Sequence, residues 1–174
     1  MDVADQQSWL PAAQRGEHWA LERIYTEQSA TVYALCHRLL GRPEDAEDAM
    51  QATFVQAFRA LGRFRGQCSM KTWLYRIAVN ASNDILRRRG TAAVPLEGDA
   101  PVADGAPAVA ERVAVRCSME QMRPDHQTIL ILRFWEDLSY EEIGAVLGIS
   151  MPAVKMRLNR AKREFRNLYQ EGAQ

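Results

Sequence analysis

The sequence is poor in the features that mark secreted, metal-binding and membrane proteins. Its three cysteines, Cys36, Cys68 and Cys117, are widely spaced and form no CxxC motif, which argues against a disulfide framework and for a reducing cytoplasm. No histidine lies at ligand spacing from a cysteine, so we expect no metal site and no cofactor. No run approaches the roughly 20 apolar residues of a membrane span, and the N-terminus lacks a signal-peptide pattern. We therefore expect a cytoplasmic protein.

Net charge is also absent, because 22 basic and 22 acidic side chains cancel. The charges are nevertheless segregated along the chain. Residues 1–58 carry nine acids and four bases, whereas residues 59–90 carry eight bases and one acid. Residues 154–168 carry six bases and one acid. Two separated basic blocks indicate two contacts with one extended nucleic acid. We also expect the acidic residues 1–58 to oppose these blocks, so that the free protein binds DNA poorly.

A composition change divides the chain into two units. Residues 90–110 contain three Pro, three Gly and seven Ala and no aromatic residue, which predicts a flexible linker. We place the linker at 90–116, between an N-terminal unit at 1–89 and a C-terminal unit at 117–174. Apolar residues recur at helical spacing in both units, so we expect an all-α fold of two small helical domains. The N-terminal unit is predicted to contain four helices, near 17–28, 30–41, 43–61 and 69–89.

The C-terminal unit has the pattern of a helix-turn-helix in residues 138–165. Ser139 and Glu142 have the spacing of a capping box at the start of the first helix, and Gly148 suits its end. Pro152 falls in the first turn of the second helix, where its missing N–H costs little. The outward face of that second helix is almost entirely cationic, with Lys155, Arg157, Arg160, Lys162, Arg163 and Arg166. A face of one charge sign favours a phosphate partner over a simple solvated helix.

The basic block of the N-terminal unit combines a glycine-containing loop with a helix that carries aromatic, amide and cationic side chains. Bases can stack on rings while cations follow the phosphate backbone, so this composition suits single-stranded nucleic acid. The pattern leaves open whether Phe64 and Trp73 stack on bases or belong to the core. The four acids near the start of the preceding helix suit the positive end of a helix dipole better than a metal site.

Four motifs in this order resemble the extracytoplasmic-function class of bacterial RNA polymerase sigma factors. They are GEHWALERIY, PEDAEDAMQATFVQAF, FRGQCSMKTWLYRIAVNASNDILRRR and LSYEEIGAVLGISMPAVKMRLNRAKREF. The resemblance covers about Gly16 to Leu168, and it implies sigma region 2 in the N-terminal unit and region 4 in the C-terminal unit. It implies a promoter-specificity subunit with no enzymatic activity, whose partners are core polymerase and promoter DNA. It also implies control by an anti-sigma factor, which is often membrane-bound in this family.

The resemblance assigns residues of this chain to three surfaces. The helix that matches Glu44–Leu61 would dock on the clamp coiled coil of the polymerase's largest subunit through Asp45, Asp48, Gln51 and Gln56. The −10 element would be melted and read by Phe64, Arg65, Lys71, Trp73, Arg76, Asn80, Asp84, Arg87, Arg88 and Arg89. The −35 element would be read as duplex DNA by Lys155, Met156, Arg157, Asn159, Arg160 and Arg163. Of these, Arg157 and Arg163 are better suited to phosphates than to base edges.

Three positions depart from the family pattern. Arg123-Pro124 stands where Leu-Pro is common, and Met156 stands where a small polar residue is frequent, which leaves the promoter sequence open. Cys68 stands where Ser or another small polar residue is usual. A redox-sensing role for Cys68 would require a lowered pKa, and without one the thiol is an incidental free cysteine.

Two other classes of protein share part of the pattern. A stand-alone helix-turn-helix transcriptional regulator has a similar C-terminal unit, but it normally carries a receiver or ligand-binding domain with strands. A nuclease needs convergent carboxylates at its basic surface, and Asp84 is the only acid of residues 59–90. The helical N-terminal unit with its base-stacking composition favours a sigma factor over both.

Overall fold

The computed structural model describes residues 3–89 and 109–172, and within those ranges every regular element is helical. The α-helices are α1 (Val3–Gln14), α2 (His18–Leu40), α3 (Pro43–Ala60), α4 (Met70–Arg89), α5 (Val109–Glu120), α6 (Pro124–Phe134), α7 (Tyr140–Leu147) and α8 (Met151–Gly172). A single 3-10 turn at Leu61–Arg63 follows α3. The predicted all-α fold of two helical units is confirmed. Most of the predicted linker, residues 90–108, lies outside the described residues.

Helices α2, α3 and α4 pack side by side around the core of the N-terminal unit, and α1 lies against α2. Helix α3 begins at Pro43, which needs no N–H partner there, and Glu44 and Asp45 suit its positive end. Its apolar stripe then buries Phe54 and Ala57 among the neighbouring helices. Helices α3 and α4 begin and end within one residue of their predicted bounds, because each carries a single uninterrupted stripe of apolar residues.

The prediction of two helices at 17–28 and 30–41 is wrong, because α2 is continuous from His18 to Leu40. The polar residues between the two apolar groups suggested a break, yet neither Gly nor Pro is present to end a helix there. Thr31 instead donates its hydroxyl to the carbonyl of Gln28 at 3.0 Å, within the helix. The helix ends at Gly41, whose φ of 66° is the left-handed conformation that glycine adopts without strain.

Helix α1 was not predicted. Its sequence is polar at the start and contains Pro11, so it shows little helical periodicity. Tertiary contacts stabilise it instead, since Trp9 is 1% exposed and packs in the core. Gln14 also donates a hydrogen bond of 2.7 Å to the carbonyl of Phe64, which ties the end of α1 to the loop before α4.

The helix-turn-helix is formed by α7 and α8, with α5 and α6 packed behind α8. Both hydrogen bonds of the predicted capping box are present, from Glu142 N–H to Ser139 Oγ and from Ser139 N–H to Glu142 Oε2. Gly148 ends α7 with a φ of 66°. Helix α5 begins at Val109, inside the segment predicted as linker, because its apolar face completes the core beneath α6 and α8.

The two units contact each other in this structure. Helix α7 packs against α4, and α6 approaches α2. In the ranges that the structure describes, no helix is both long enough and apolar enough to cross a lipid bilayer.

A glycine that the pattern did not single out sets the close approach within the helix-turn-helix. A Cβ atom on Gly144 would lie 2.9 Å from the carbonyl oxygen of Ile149 and 3.7 Å from Cγ2 of Val154. We expect Gly144→Ala to lower the free energy of unfolding by about 1–3 kcal/mol, because backbone in the turn would have to shift. Gly62→Ala is the matched control, since nothing lies within 4 Å of its added Cβ. Thermal unfolding followed by circular dichroism tests this, and equal midpoints for the two variants would contradict it.

Candidate nucleic-acid interface

Helix α8 has one buried stripe and one cationic face. Val154, Leu158 and Ala161 are buried against the rest of the unit. The predicted base-edge residues Lys155, Met156, Asn159 and Arg160 are all exposed, and Met156 is 58% exposed. Of the two predicted phosphate ligands, Arg163 is exposed and Arg157 is half-buried. The predicted −35 residues therefore lie together along helix α8.

Glu164, the only acid among residues 154–168, contacts the start of α6. The Glu164 carboxylate contacts Nδ1 of His126 and accepts the backbone N–H of Arg123 at 3.1 Å. These contacts hold α8 against the start of α6. Arg123, Arg160 and Arg163 line a polar groove of about 490 Å³ between the two helices, together with Glu164 and His126. Arg123 was noted in the sequence only as a departure from the family pattern, and the structure adds it to this basic surface.

Helix α4 and the loop before it carry the second basic surface, and most of the predicted −10 residues there are within reach of solvent. The exposed members are Arg65, Arg76, Asn80, Arg87 and Arg88, and the half-buried ones are Lys71, Trp73, Asp84 and Arg89. The ammonium of Lys71 lies 5.1 Å from the ring centroid of Tyr75. Asp84 accepts a 2.8 Å hydrogen bond from Arg87, so this acid holds a neighbouring arginine.

Phe64 corrects the predicted set. It is 5% exposed, and its ring centroid lies 4.9 Å from that of Trp73. Its backbone is also fixed, because its N–H donates to the carbonyl of Leu61 at 3.0 Å. A ring buried in this way cannot stack on a base, so Phe64 is a core residue that supports Trp73. Trp73 itself packs on the core and keeps part of its surface accessible.

Asp45 corrects the predicted polymerase-binding set. Its side chain was expected to point outward from α3, but it is 19% exposed and pairs with Arg89 at the end of α4. The pair joins the first turn of α3 to the last turn of α4. Arg89, expected on the DNA backbone, is therefore engaged within the unit in this structure.

The outer face of α3 is exposed and mixed in character. Asp48, Gln51 and Gln56 all reach solvent as predicted. The structure adds two apolar side chains that the sequence pattern did not reveal, Val55 at 49% exposed and Tyr25 of α2 at 44% exposed. The Tyr25 ring meets the Phe54 ring edge-on at 4.9 Å, which brings α2 beside the α3 face. Exposed apolar side chains next to polar ones are typical of protein-binding surfaces.

A further surface, the apolar groove, lies between α5, α6 and α8 and encloses about 440 Å³. It is lined by Val115, Met119, Leu130, Phe134, Trp135, Phe165 and Tyr169, with Lys162 and Arg166 at its rim. Phe134 is 45% exposed there, and the Lys162 ammonium lies 5.3 Å from its ring centroid. The groove was not predicted, because one of its walls belongs to α5, in the segment predicted as linker.

Glu136 joins the two units. It follows α6, its side chain is 7% exposed, and it accepts a 2.7 Å hydrogen bond from Nη1 of Arg38 on α2. Its other carboxylate oxygen accepts the hydroxyl of Tyr75 on α4. Burial raises the pKa of Tyr75, and the Glu136 carboxylate raises it further, so the phenol remains a donor. The two units also approach each other at α4 and the helix-turn-helix. There, Nη2 of Arg76 lies 4.0 Å from the position that a Cβ atom on Gly148 would take.

The thiols of Cys36 and Cys68 both have a raised pKa. Burial raises the pKa of Cys36 to about 11, and the Cys36 side chain lies in the core. Burial also raises the pKa of Cys68, although Arg76 acts in the opposite direction. A raised pKa leaves less thiolate at neutral pH, so the structure favours an incidental thiol over a redox sensor at Cys68. Among the residues that the structure describes, no three His, Cys, Asp or Glu side chains are grouped as metal ligands.

The chain is similar to known proteins of one family. Residues 24–91 match the family Sigma-70 region 2, and residues 112–165 match Sigma-70, region 4. The RNA polymerase sigma-H factor of Pseudomonas aeruginosa is 34% identical over 90% of this chain and 89% of its own length. The ECF RNA polymerase sigma factor SigW of Bacillus subtilis is 29% identical over 90% of this chain and 92% of its own.

The solved structures include one with the same fold. The sigma factor RpoE from Bartonella quintana, in complex with the anti-sigma factor NepR, superposes with a TM-score of 0.65. The two chains are 21% identical, and the match covers 86% of this chain and 96% of that one.

Proposed function

The chain belongs to the extracytoplasmic-function RNA polymerase sigma factors, and we propose that it directs core polymerase to particular promoters by reading two DNA elements with two surfaces. The observation that carries the proposal is an outward cationic face on α4 and another on α8, in separate units. Sigma factors are initiation factors without catalysis of their own, so we assign this chain no enzymatic activity. We place it in the cytoplasm, where core polymerase acts.

We assign region 2 to residues 1–89 and begin the region 4 unit at α5, because α5 packs against α8. In region 4, Lys155 and Arg160 suit guanine edges and Asn159 suits adenine, each good bidentate pair discriminating by about 1–3 kcal/mol. Arg157 and Arg163 are assigned to phosphates. The Arg123 side of the polar groove extends this phosphate contact.

In region 2, α4 receives the unwound −10 element. Asn80 is exposed at the middle of the helix and can hydrogen-bond a base edge. Trp73, held by Phe64 beneath it, offers the ring on which a flipped base stacks. Lys71, Arg76, Arg87 and Arg88 neutralise the strand. Asp84 positions Arg87 and has no direct role in base recognition.

The outer face of α3 is the surface for the clamp coiled coil of core polymerase. Asp48, Gln51 and Gln56 supply acid and amide groups for basic partner residues. Val55 and Tyr25 supply the apolar contact that a stable protein interface needs at its centre. Asp45 is left out of this set because it pairs with Arg89.

We assign the apolar groove of region 4 to an anti-sigma factor. Its occupant is an amphipathic helix whose apolar face fills the groove and whose acidic side chains meet Lys162 and Arg166. A sigma factor that shares the fold has been solved in complex with an anti-sigma factor, so we propose a partner of the same class for this chain.

Reconstitution with bacterial core polymerase tests the function directly. We expect promoter-specific run-off transcripts from a genomic fragment library only when the chain is added. Lys155→Ala with Arg160→Ala should change which templates respond, because base-edge contacts are lost. Arg163→Ala should instead weaken all templates alike and lower the salt slope of binding by about 1. Failure to support promoter-specific transcripts, together with tight operator binding as a dimer without polymerase, would indicate a stand-alone regulator.

The −10 surface and the core-binding surface should separate by mutation. We expect Asn80→Ala to leave core binding unchanged and to impair strand opening, because Asn80 contacts only the melted base. We expect Asp48→Arg to weaken core binding about 10-fold or more through like-charge contact with a basic partner. Fluorescence anisotropy measures core binding, and permanganate reactivity of thymines measures opening. Glu171→Arg, an exposed reversal in α8, controls for charge. A core-binding defect in Asn80→Ala would refute the assignment.

A further inference from the structure

We propose that helix α1 takes part in reading the −10 element, and that Gln14 at its end is a positioning residue for the loop before α4. The inference rests on the proposed function and names a further determinant of its −10 step. Gln14 precedes residues 24–91, the stretch that matches Sigma-70 region 2. It touches no base itself and acts through the backbone of Phe64.

The first end of this loop, which comprises residues 64–69, is fixed at Phe64 from two sides. The Phe64 N–H donates to the carbonyl of Leu61 at 3.0 Å, and its carbonyl accepts a hydrogen bond of 2.7 Å from Nε2 of Gln14. The Phe64 carbonyl and the Arg65 N–H belong to one planar peptide group. Gln14 therefore fixes the plane from which the exposed Arg65, a predicted −10 residue, extends.

The second end of the loop is fixed at the start of α4. Ser69 Oγ accepts the backbone N–H of Thr72 at 3.0 Å, which caps the helix. Residues 65–67 lie between the two ends, and Gly66 at their centre has a φ of 67°. Because residues 65–67 are carried by these two ends, release of the first end would let them move relative to the ring of Trp73.

Helix α1 gives Gln14 a fixed support. Trp9, Ala12 and Ala13 are all buried, and the Arg23 guanidinium of α2 lies 5.8 Å from the Trp9 ring centroid. The Gln14 side chain is exposed, so a substitution there removes no core contact. The position of the loop can therefore be changed at Gln14 while the helical core stays intact.

The three cysteines report on this loop in the free chain. Cys68 lies in the loop, half-buried and packed on the core, whereas Cys36 is buried in α2 and Cys117 is exposed on α5. A half-buried thiol reacts faster when its segment opens more often. Gln14→Met keeps the length of the side chain and removes the donor. We expect it to raise the rate of Cys68 alkylation by iodoacetamide about 3- to 10-fold, the effect of one lost hydrogen bond.

Two references and two control variants accompany this measurement. The rates at Cys36 and Cys117, followed by peptide mass spectrometry in the same samples, should not change. Gln14→Lys retains an N–H donor of similar reach and should restore the parent rate at Cys68. Gln170→Met changes an exposed glutamine of α8 in the same way and should leave all three rates unchanged.

The role in base reading is tested with core polymerase on a promoter recovered by run-off transcription. We expect Gln14→Met to lower permanganate reactivity of the −10 thymines about 3- to 10-fold, with core binding by fluorescence anisotropy unchanged. The same promoter then carries one abasic site, placed in turn at each non-template −10 position. The abasic site that most weakens opening by the parent chain should weaken opening by Gln14→Met less, because the missing base was the one that the fixed loop receives.

Each outcome has a distinct meaning. An unchanged Cys68 rate in Gln14→Met, or a rate in Gln14→Lys as high as that in Gln14→Met, would overturn the anchoring role of the hydrogen bond to Phe64. An abasic site that weakens opening by the parent and by Gln14→Met to the same extent would overturn the role in base reading. Failure of the parent chain to give promoter-specific transcripts would refute the proposed function, and the role in base reading with it, whereas the alkylation rates need no polymerase.

Discussion

Both candidate DNA surfaces depend on one constraint. Each lies on a helix that has a buried apolar stripe on one side and a cationic face on the other. In α8, burial of Val154, Leu158 and Ala161 fixes the rotation of the helix and so determines that Lys155 and Arg160 face outward. In α4, the buried Leu74 and Ala78 do the same for Arg76 and Asn80. A change that rotated either helix would turn its cations inward, at a high desolvation cost.

Local signals made the helix-turn-helix and α3 predictable. Ser139 and Glu142 satisfy each other's backbone groups across three residues, and Gly148 needs only its own conformation to end α7. Contacts between distant residues were not predictable in this way. The core position of Phe64 depends on Trp73 and on Gln14 of α1, a helix without a clear pattern of its own. Glu136 looked like an ordinary turn acid, because its partners lie 98 and 61 residues away in sequence.

The structure shows which of the segregated charges contact one another. In the acidic N-terminal half, Asp45 contacts Arg89, and the other acids of α3 are exposed. The units meet through α7 and α4 and through α6 and α2, and Arg38 of the acidic half pairs with Glu136 of the other unit. A pair of opposite sign therefore lies at the contact between the units.

The central claim is that one chain reads melted DNA with α4 and duplex DNA with α8. Site-specific photocrosslinkers at positions 80 and 155, placed in turn in the polymerase complex on a responsive promoter, test it most directly. We predict that position 80 crosslinks the non-template strand near −10 and that position 155 crosslinks the duplex near −35. Crosslinks from both positions to one element, or from position 80 only to double-stranded DNA, would contradict it.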